Sequence, residues 1–494
     1  MSRAFYGSDP SPAASLSSDA LSLPGRPLPR RLQQRLAGGD RYVRVLAIIL
    51  LGYAAIGRKV AIIGIEPVYN AEIMLAWGIW LLLEAGTLSL VLNSVPAMFL
   101  VLLMGWGLAR TVPFFDKYRF DALRDAVLYG YGLFAFVIAG ILLQSPERLV
   151  RLLKWYRKFV WLLFLIGLPM LLLMVFWFSV YNMPGGTVIL FFLAGMKGGD
   201  LGVHVAGAFV YLTVLADLLH PPAPTHTGNR RPLNDMFIDW LPALLIVVAL
   251  GLTMAVRAAS MAFILAAAIA ILVRPRSRTP WKLGTVIAAS VILLAVSGVH
   301  IPLHNGRDLS FDQLSNNVQS IVGMGADQGE GLDGTKKWRL DWWNHIIDYT
   351  FHGQYFWTGK GFGVNLANDD GFQVNSDGSL RSPHNGHLTI LARAGVPGLA
   401  LWALVNLSWA IAMIDGFVRA RRAKQEIWAG TFMFILAYWA AFLTNASFDV
   451  FLEAPVGGVW FWVIFGTGLA VQNLYRRSPE LLATVPPPAS GLPA

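Results

Sequence analysis

Apolar stretches long enough to cross a lipid bilayer recur about a dozen times along this chain, at roughly 20 residues each. Inside a bilayer every backbone polar group must find its partner within the protein, so repeated stretches of this kind are restricted to a helical bundle. The expected spans are Val43–Ile65, Ile73–Leu92, Val95–Val112, Ala126–Leu143, Phe159–Val180 and Leu201–Leu219. Six more follow at Met236–Met254, Ala258–Val273, Leu283–Val299, Val396–Ile414, Trp428–Leu443 and Val456–Leu474. Thr187–Gly195 is too short to cross and reads as a re-entrant or interfacial piece. The predicted fold class is an all-α polytopic membrane protein of about 12 transmembrane helices, with a periplasmic cap of short helices and loops between spans nine and ten. The expected organisation is a disordered cytoplasmic tail over 1–42, a bundle of nine spans over 43–299 and the cap over 300–395. Three further spans over 396–474 and a second disordered tail over 475–494 complete it.

Charge supplies the orientation. Of the 494 residues only 14% are charged, and the formal net charge is +10. That excess lies in short loops rather than on one continuous stripe, which argues for membrane topology and against a nucleic-acid partner. Arg26, Arg30, Arg31, Arg35 and Arg41 precede the first span; Arg148, Arg151, Lys154, Arg157 and Lys158 follow the fourth. Arg274, Arg276, Arg278 and Lys282 follow the eighth, and Arg419, Arg421, Arg422 and Lys424 the tenth. Twelve spans put all of these on one face, expected to be cytoplasmic. The segment from His300 to Arg393, with seven basic and ten acidic residues, falls on the other face. The absence of cysteine excludes disulfides, thiol catalysis and thiolate metal sites.

Basic residues on the outer face run against the usual bias and so need a reason. They include Lys117 and Arg119 near the third and fourth spans, Lys197 in Lys197-Gly-Gly-Asp200, Arg257 in a tight turn between two spans, and Arg339. Snorkelling toward headgroups accounts for many such residues, whereas charge at a membrane interface beside other polar groups reads as functional. Arg257 and Arg339 are read as functional, and Lys117, Arg119 and Lys197 as candidate contacts to an anionic substrate. His384-Asn385, stiffened by Pro383, stands where a helix leads into the tenth span, so His384 can exchange a proton at the mouth of the bundle and Asn385 can contact substrate. His345, His352 and His387 read as rim or structural residues. Gly359-Lys-Gly361-Phe-Gly363 lacks the spacing of a dinucleotide loop and reads as a tight turn. Asp369-Asp370 reads as solvated, and no metal is expected. Asp449 and Glu453, between the last two spans, can orient basic side chains, bind acceptor hydroxyls or simply be solvated.

Taken in order, Arg339-x-x-Trp342, Gly359-x-Gly361-x-Gly363, His384-Asn385-x-x-Leu388 and Gly395-Val-Pro397-Gly398 opening a span resemble the O-antigen ligase and O-antigen polymerase superfamily of membrane glycosyltransferases. The Arg257 turn and Phe448-Asp449…Glu453-x-Pro455 are similar to it as well. The resemblance covers Val43 to Leu474, and departs from the family where Ala258-Ala259 follows Arg257. It implies a metal-independent, cofactor-free enzyme of the bacterial inner membrane, its active site facing the periplasm. The implied partners are a glycan on undecaprenyl diphosphate, a lipid A core or similar acceptor, and the bilayer. It implies catalytic roles for Arg257, Arg339 and His384. A repeat-unit polymerase is the alternative, followed by a protein O-oligosaccharyltransferase. A transporter would instead place its ionisable groups at mid-span.

Overall fold

The computed structural model describes residues 30–175, 197–220, 233–253, 257–274, 277–298, 301–302, 308–309, 312, 315 and 330–483. Helices dominate them, and each expected span falls largely on a helix or on a helix pair broken by a short turn. Five helices are long and apolar enough to cross a membrane: Val95–Tyr118, Arg278–Ser297, Gly386–Arg422, Glu426–Ala446 and Pro455–Arg477. A sixth candidate is Phe120–Gly130 with Leu133–Gln144, bent by 43°. Gly198–Val214, Asp239–Gly251 and Ala258–Val273 are shorter apolar helices. The expected re-entrant piece at Thr187–Gly195 lies outside the described residues.

Three boundaries differ from expectation. The first helix begins at Arg30, inside the expected tail, because Asp40 is held by Arg148 at 2.7 Å and Tyr42 is buried against the bundle. That helix stops at Ala55 rather than Ile65. Gly57 takes a left-handed φ of 87°, and a hairpin pairing Gly64–Ile65 with Val68–Tyr69 follows. At the other end the last helix runs to Arg477 and a 3-10 turn continues over Pro479–Leu482. Trp428 Nε1 donates to the Pro479 carbonyl at 2.7 Å, and Leu482 is buried.

Helix directions follow from contacts between named residues. Gly202 faces Ala259, and Arg274 reaches the Val214 carbonyl at 3.4 Å, so Gly198–Val214 and Arg257–Val273 run parallel with their starts level. The small pair Gly202 and Ala259 lets these two helices approach closely. Glu426–Ala446 runs against both, since Gly430 packs at Val214 and Tyr438 at His204 and Gly207. Tyr211 donates to the Leu153 carbonyl at 3.0 Å, which brings the start of Glu147–Val175 level with the end of Gly198–Val214. The basic segments around Arg148, Arg274 and Arg421 therefore share one end of the bundle. Lys197, the start of the Arg257 helix and Ala446 share the other.

A second, smaller apolar cluster sits at that other end, built from Trp342, Ile346, Leu366, Ala367, Leu380, Leu391 and Ala392. Trp342 stacks on Phe372, with ring centroids 5.5 Å apart. It belongs to the stretch expected to form the cap and is joined to the bundle by the break in Gly386–Arg422. At Gly395 φ is +69°, and an added Cβ would lie 2.6 Å from the Phe356 carbonyl oxygen, so only glycine fits. Breaking the helix frees the carbonyls before it, and each finds a donor. Lys360 N bonds the Ala392 carbonyl at 2.7 Å, Gly361 N that of Arg393 at 3.0 Å, and Trp106 Nε1 that of Ala394 at 2.8 Å. The glycine-rich turn is thus a C-terminal cap for the short helix that carries His384 at its head.

Candidate functional site

The helix Glu330–Ile347 presents Arg339 and Trp343, four residues apart, on one face. Trp343 Nε1 donates to the Pro383 carbonyl at 2.8 Å and so positions the residue before His384. Arg339 Nη1 donates to the Phe448 carbonyl at 3.2 Å, while its Nε is sealed from solvent with no partner. Burial lowers the guanidinium's affinity for its proton, and the nearby Asp449 carboxylate opposes that. His384 has φ +54°, a left-handed conformation that is uncommon for a side-chain-bearing residue and recurs at functional sites. Asn385 next to it caps the following helix, its Oδ1 accepting from His387 N at 3.0 Å and Leu388 N at 3.1 Å. The local roles are therefore divided: Asn385 starts the helix, and His384 is turned away from it.

Asp449 is the centre of the group. Both of its oxygens accept from Lys197 Nζ at 2.8 Å, and His384 Nδ1 lies 3.6 Å from Oδ1. Burial alone would raise the pKa of this carboxyl; His384 and Lys197 outweigh it and hold Asp449 ionised well below the ordinary carboxylate range. A carboxylate beside Nδ1 favours the tautomer and ring orientation in which Nε2 is left to act on a substrate. Arg339, His384, Asp449 and Lys197 are thus brought together from four separate parts of the chain. Asn445, one helical turn before, is 1% exposed with neither side-chain polar atom paired.

Glu453 belongs to a neighbouring network. Burial raises its pKa, and Arg393, Thr389 and Ser382 only partly oppose that; its Oε1 has no partner. Arg393, 1% exposed, pairs with Asp125 at 2.9 Å and donates to the Val364 carbonyl at 3.0 Å. Asp125 also accepts from Arg381 Nη2 at 3.0 Å and Gly363 N at 2.9 Å. This network clamps the cap to the Phe120–Gly130 helix. The sequence alone assigns no role to Arg393, Arg381 or Asp125; the available signal is an arginine two residues before the Gly395 break.

Other expectations fall differently. Lys117 is exposed and lies over the Tyr118 ring at 5.0 Å, and Arg119, with φ +44°, joins two helices. Neither shares a hydrogen bond or ion pair with the Asp449 group among the described residues. Arg257 begins its helix at the same end of the bundle as Lys197, and its side chain lies outside the described part. Asp369 and Asp370 are not free in solvent: both pair with Lys360, and Asp370, fully buried, also accepts from Trp342 Nε1 at 2.6 Å. His387 is structural, its Nδ1 accepting from Trp402 Nε1 at 2.9 Å and its Nε2 lying 3.1 Å from Ser447 Oγ. Among the described residues no three His, Asp or Glu side chains gather as a metal site.

Residues 241–403 match a family model described as O-Antigen ligase. This part of the chain is similar to the O-antigen ligase superfamily. No curated protein matches the chain. Members of the superfamily are membrane glycosyltransferase-like enzymes, both ligases and polymerases. The O-antigen ligase region contains Arg257, Arg339 and His384, and it ends before Asp449. Lys197 lies before it. The carboxylate and ammonium that complete the group thus come from residues just outside the helices Gly198–Val214 and Glu426–Ala446, and reach the matched region only through the packing of those helices.

Proposed function

We propose that this protein moves a glycan from undecaprenyl diphosphate to a lipid A core or similar acceptor, at the periplasmic face of a bacterial inner membrane. The observation that carries the reading is the half-buried Arg339 guanidinium, whose Nε is sealed from solvent and unpaired beside the His384–Asp449 pair. A buried donor left unpaired costs about 1–3 kcal/mol, a cost relieved when an anion arrives to accept from it. Arginine suits a diphosphate because it is permanently charged and binds in a bidentate manner.

The chemistry is a displacement at the anomeric carbon. The acceptor hydroxyl oxygen forms the new carbon–oxygen bond, the bond to the diphosphate oxygen breaks, and the hydroxyl proton passes to His384 Nε2. Asp449 steadies the imidazolium that forms, as a buried carboxylate does for a catalytic histidine. Undecaprenyl diphosphate departs as an anion, with Arg339 and Arg257 bearing its charge. Lys197 holds Asp449 in place. The energy resides in the donor's phosphate bond, so neither nucleotide nor metal is required.

Purified protein given lipid-linked glycan and acceptor tests this directly. Transfer is expected to survive EDTA, and a strict divalent requirement would overturn the arginine-based account. In a deletion strain, long polymer retained on the lipid carrier identifies a ligase. Carrier bearing single repeats would identify a repeat-unit polymerase instead.

A further inference from the structure

A sizeable cavity among the described residues lies away from Asp449. It is a groove of about 440 Å3 between the helices Arg30–Ala55, Glu147–Val175, Glu426–Ala446 and Pro455–Arg477. That volume is typical of a ligand pocket. Its floor is aromatic: the Tyr156 and Phe434 ring centroids are 4.8 Å apart, and those of Phe159 and Trp460 5.4 Å. Its open flank carries Ile48, 65% exposed, and Leu162, 40% exposed, so the groove opens sideways where a bundle meets hydrocarbon. Two cations stand on its rim, Arg44 and Lys158, with Trp155 beside them. Both cations are exposed, and among the described residues neither makes an ion pair or hydrogen bond.

The position of those cations selects the occupant. They belong to the two helices whose starts meet at the basic end, where Arg148 binds Asp40, whereas His384 and Arg339 are at the opposite end. A diphosphate handled at His384 cannot also be gripped by Arg44. A lipid from the other leaflet can place its acyl chain on the aromatic floor and its phosphate between Arg44 and Lys158. Tryptophan at this level matches the aromatic belt of a membrane–water boundary. A headgroup with no net charge would leave the positive charge of the two side chains uncompensated.

We propose that this groove is a binding site for an anionic glycerophospholipid of the leaflet that the basic loops face. The site is independent of the transfer reaction and stands or falls without it. Attraction of an anionic headgroup to a basic residue at the surface corresponds to roughly a five-fold change in affinity per residue.

The test uses the full chain, delipidated in mild detergent and titrated with phosphatidylglycerol or phosphatidylcholine, with bound lipid counted by native mass spectrometry. Phosphatidylglycerol is expected to be retained in preference to phosphatidylcholine. Arg44→Ala and Lys158→Ala are each expected to weaken retention roughly five-fold, and together about 25-fold. The charge-conserving pair Arg44→Lys and Lys158→Arg should retain it. Equal retention of the two lipids by the wild-type chain would overturn the proposal, and so would undiminished binding in the double alanine variant. Displacement of phosphatidylglycerol by undecaprenyl phosphate would overturn it as well, by assigning the groove to the donor. The wild-type comparison of two lipids decides the matter even if a variant fails to fold.

Discussion

One end of the bundle holds a buried arginine and the other a half-buried one, and the two are treated in opposite ways. At the basic end Arg148, 2% exposed, uses every arm of its guanidinium. Nε bonds Asp40 at 2.7 Å, Nη1 bonds the Ile141 carbonyl at 2.7 Å and Gln144 at 2.9 Å, and Nη2 bonds the Leu36 carbonyl at 2.7 Å. At the other end Arg339 makes one bond of 3.2 Å and leaves Nε buried and unpaired. Unpaired buried atoms recur around it, on Arg58, Asp200, Asn445 and Glu453. A satisfied arginine is a fastening within the fold. An unsatisfied one keeps its bonding capacity for something that arrives later, and its surroundings hold it in place meanwhile.

The largest effects should separate the two arginines by kind. Arg339→Ala and His384→Ala are each expected to lower glycan transfer by about 10²–10³-fold, with thermal melting close to that of the parent chain. Melting of purified variants alongside in vitro transfer measures both; if Arg339→Ala unfolded the protein, the contrast would be broken. Arg148→Ala should do the reverse, destabilising by about 3 kcal/mol because Asp40 is left with Arg151 alone and three further acceptors lose their partner. Its readout is loss of folded protein from the membrane, with specific activity preserved in whatever remains.

Asp449→Asn sharpens the comparison within the site. It keeps the shape and removes the charge that orients His384, so transfer should drop by about 10²-fold. The folded pKa of Asp449 is depressed below its ordinary 3.8. Its stabilising contribution is therefore present above that value and is lost as pH falls through the folded pKa. The asparagine variant should lack this acid-side loss in a melting series. The smallest effect is expected from Glu453→Gln. The folded pKa of Glu453 is raised above 4.5, so at neutral pH the carboxylate opposes folding, and the glutamine variant should melt slightly higher. That gain should fade as pH falls through the raised folded pKa and be absent below 4.5; a glutamine variant less stable at neutral pH would show that the Glu453 charge supports the fold.

Much of the architecture was legible because a bilayer leaves little choice. Apolar runs of sufficient length become helices, and the loops at Arg148, Arg274 and Arg421 carry the charge that brings them to one end. Arg339, His384 and Asp449 stood out as polar groups between such runs. What each of them bonds was not legible. Asn385 looks like a substrate contact until its Oδ1 is found capping a helix, and Asp369-Asp370 look solvated until Lys360 is found between them. Lys197 lies 252 positions from the carboxylate it binds, and no local pattern encodes a contact at that separation.

The sequence by itself determined where most of the apolar helices lie and which end of the bundle is basic. Only the tertiary structure decided which charges are spent on one another and which are left over. Helix formation follows from local hydrophobicity and backbone pairing, which a short window of residues contains. Satisfaction of a buried charge depends on the particular atoms that distant helices bring within 3 Å, as with Arg148, or fail to bring, as with Arg339.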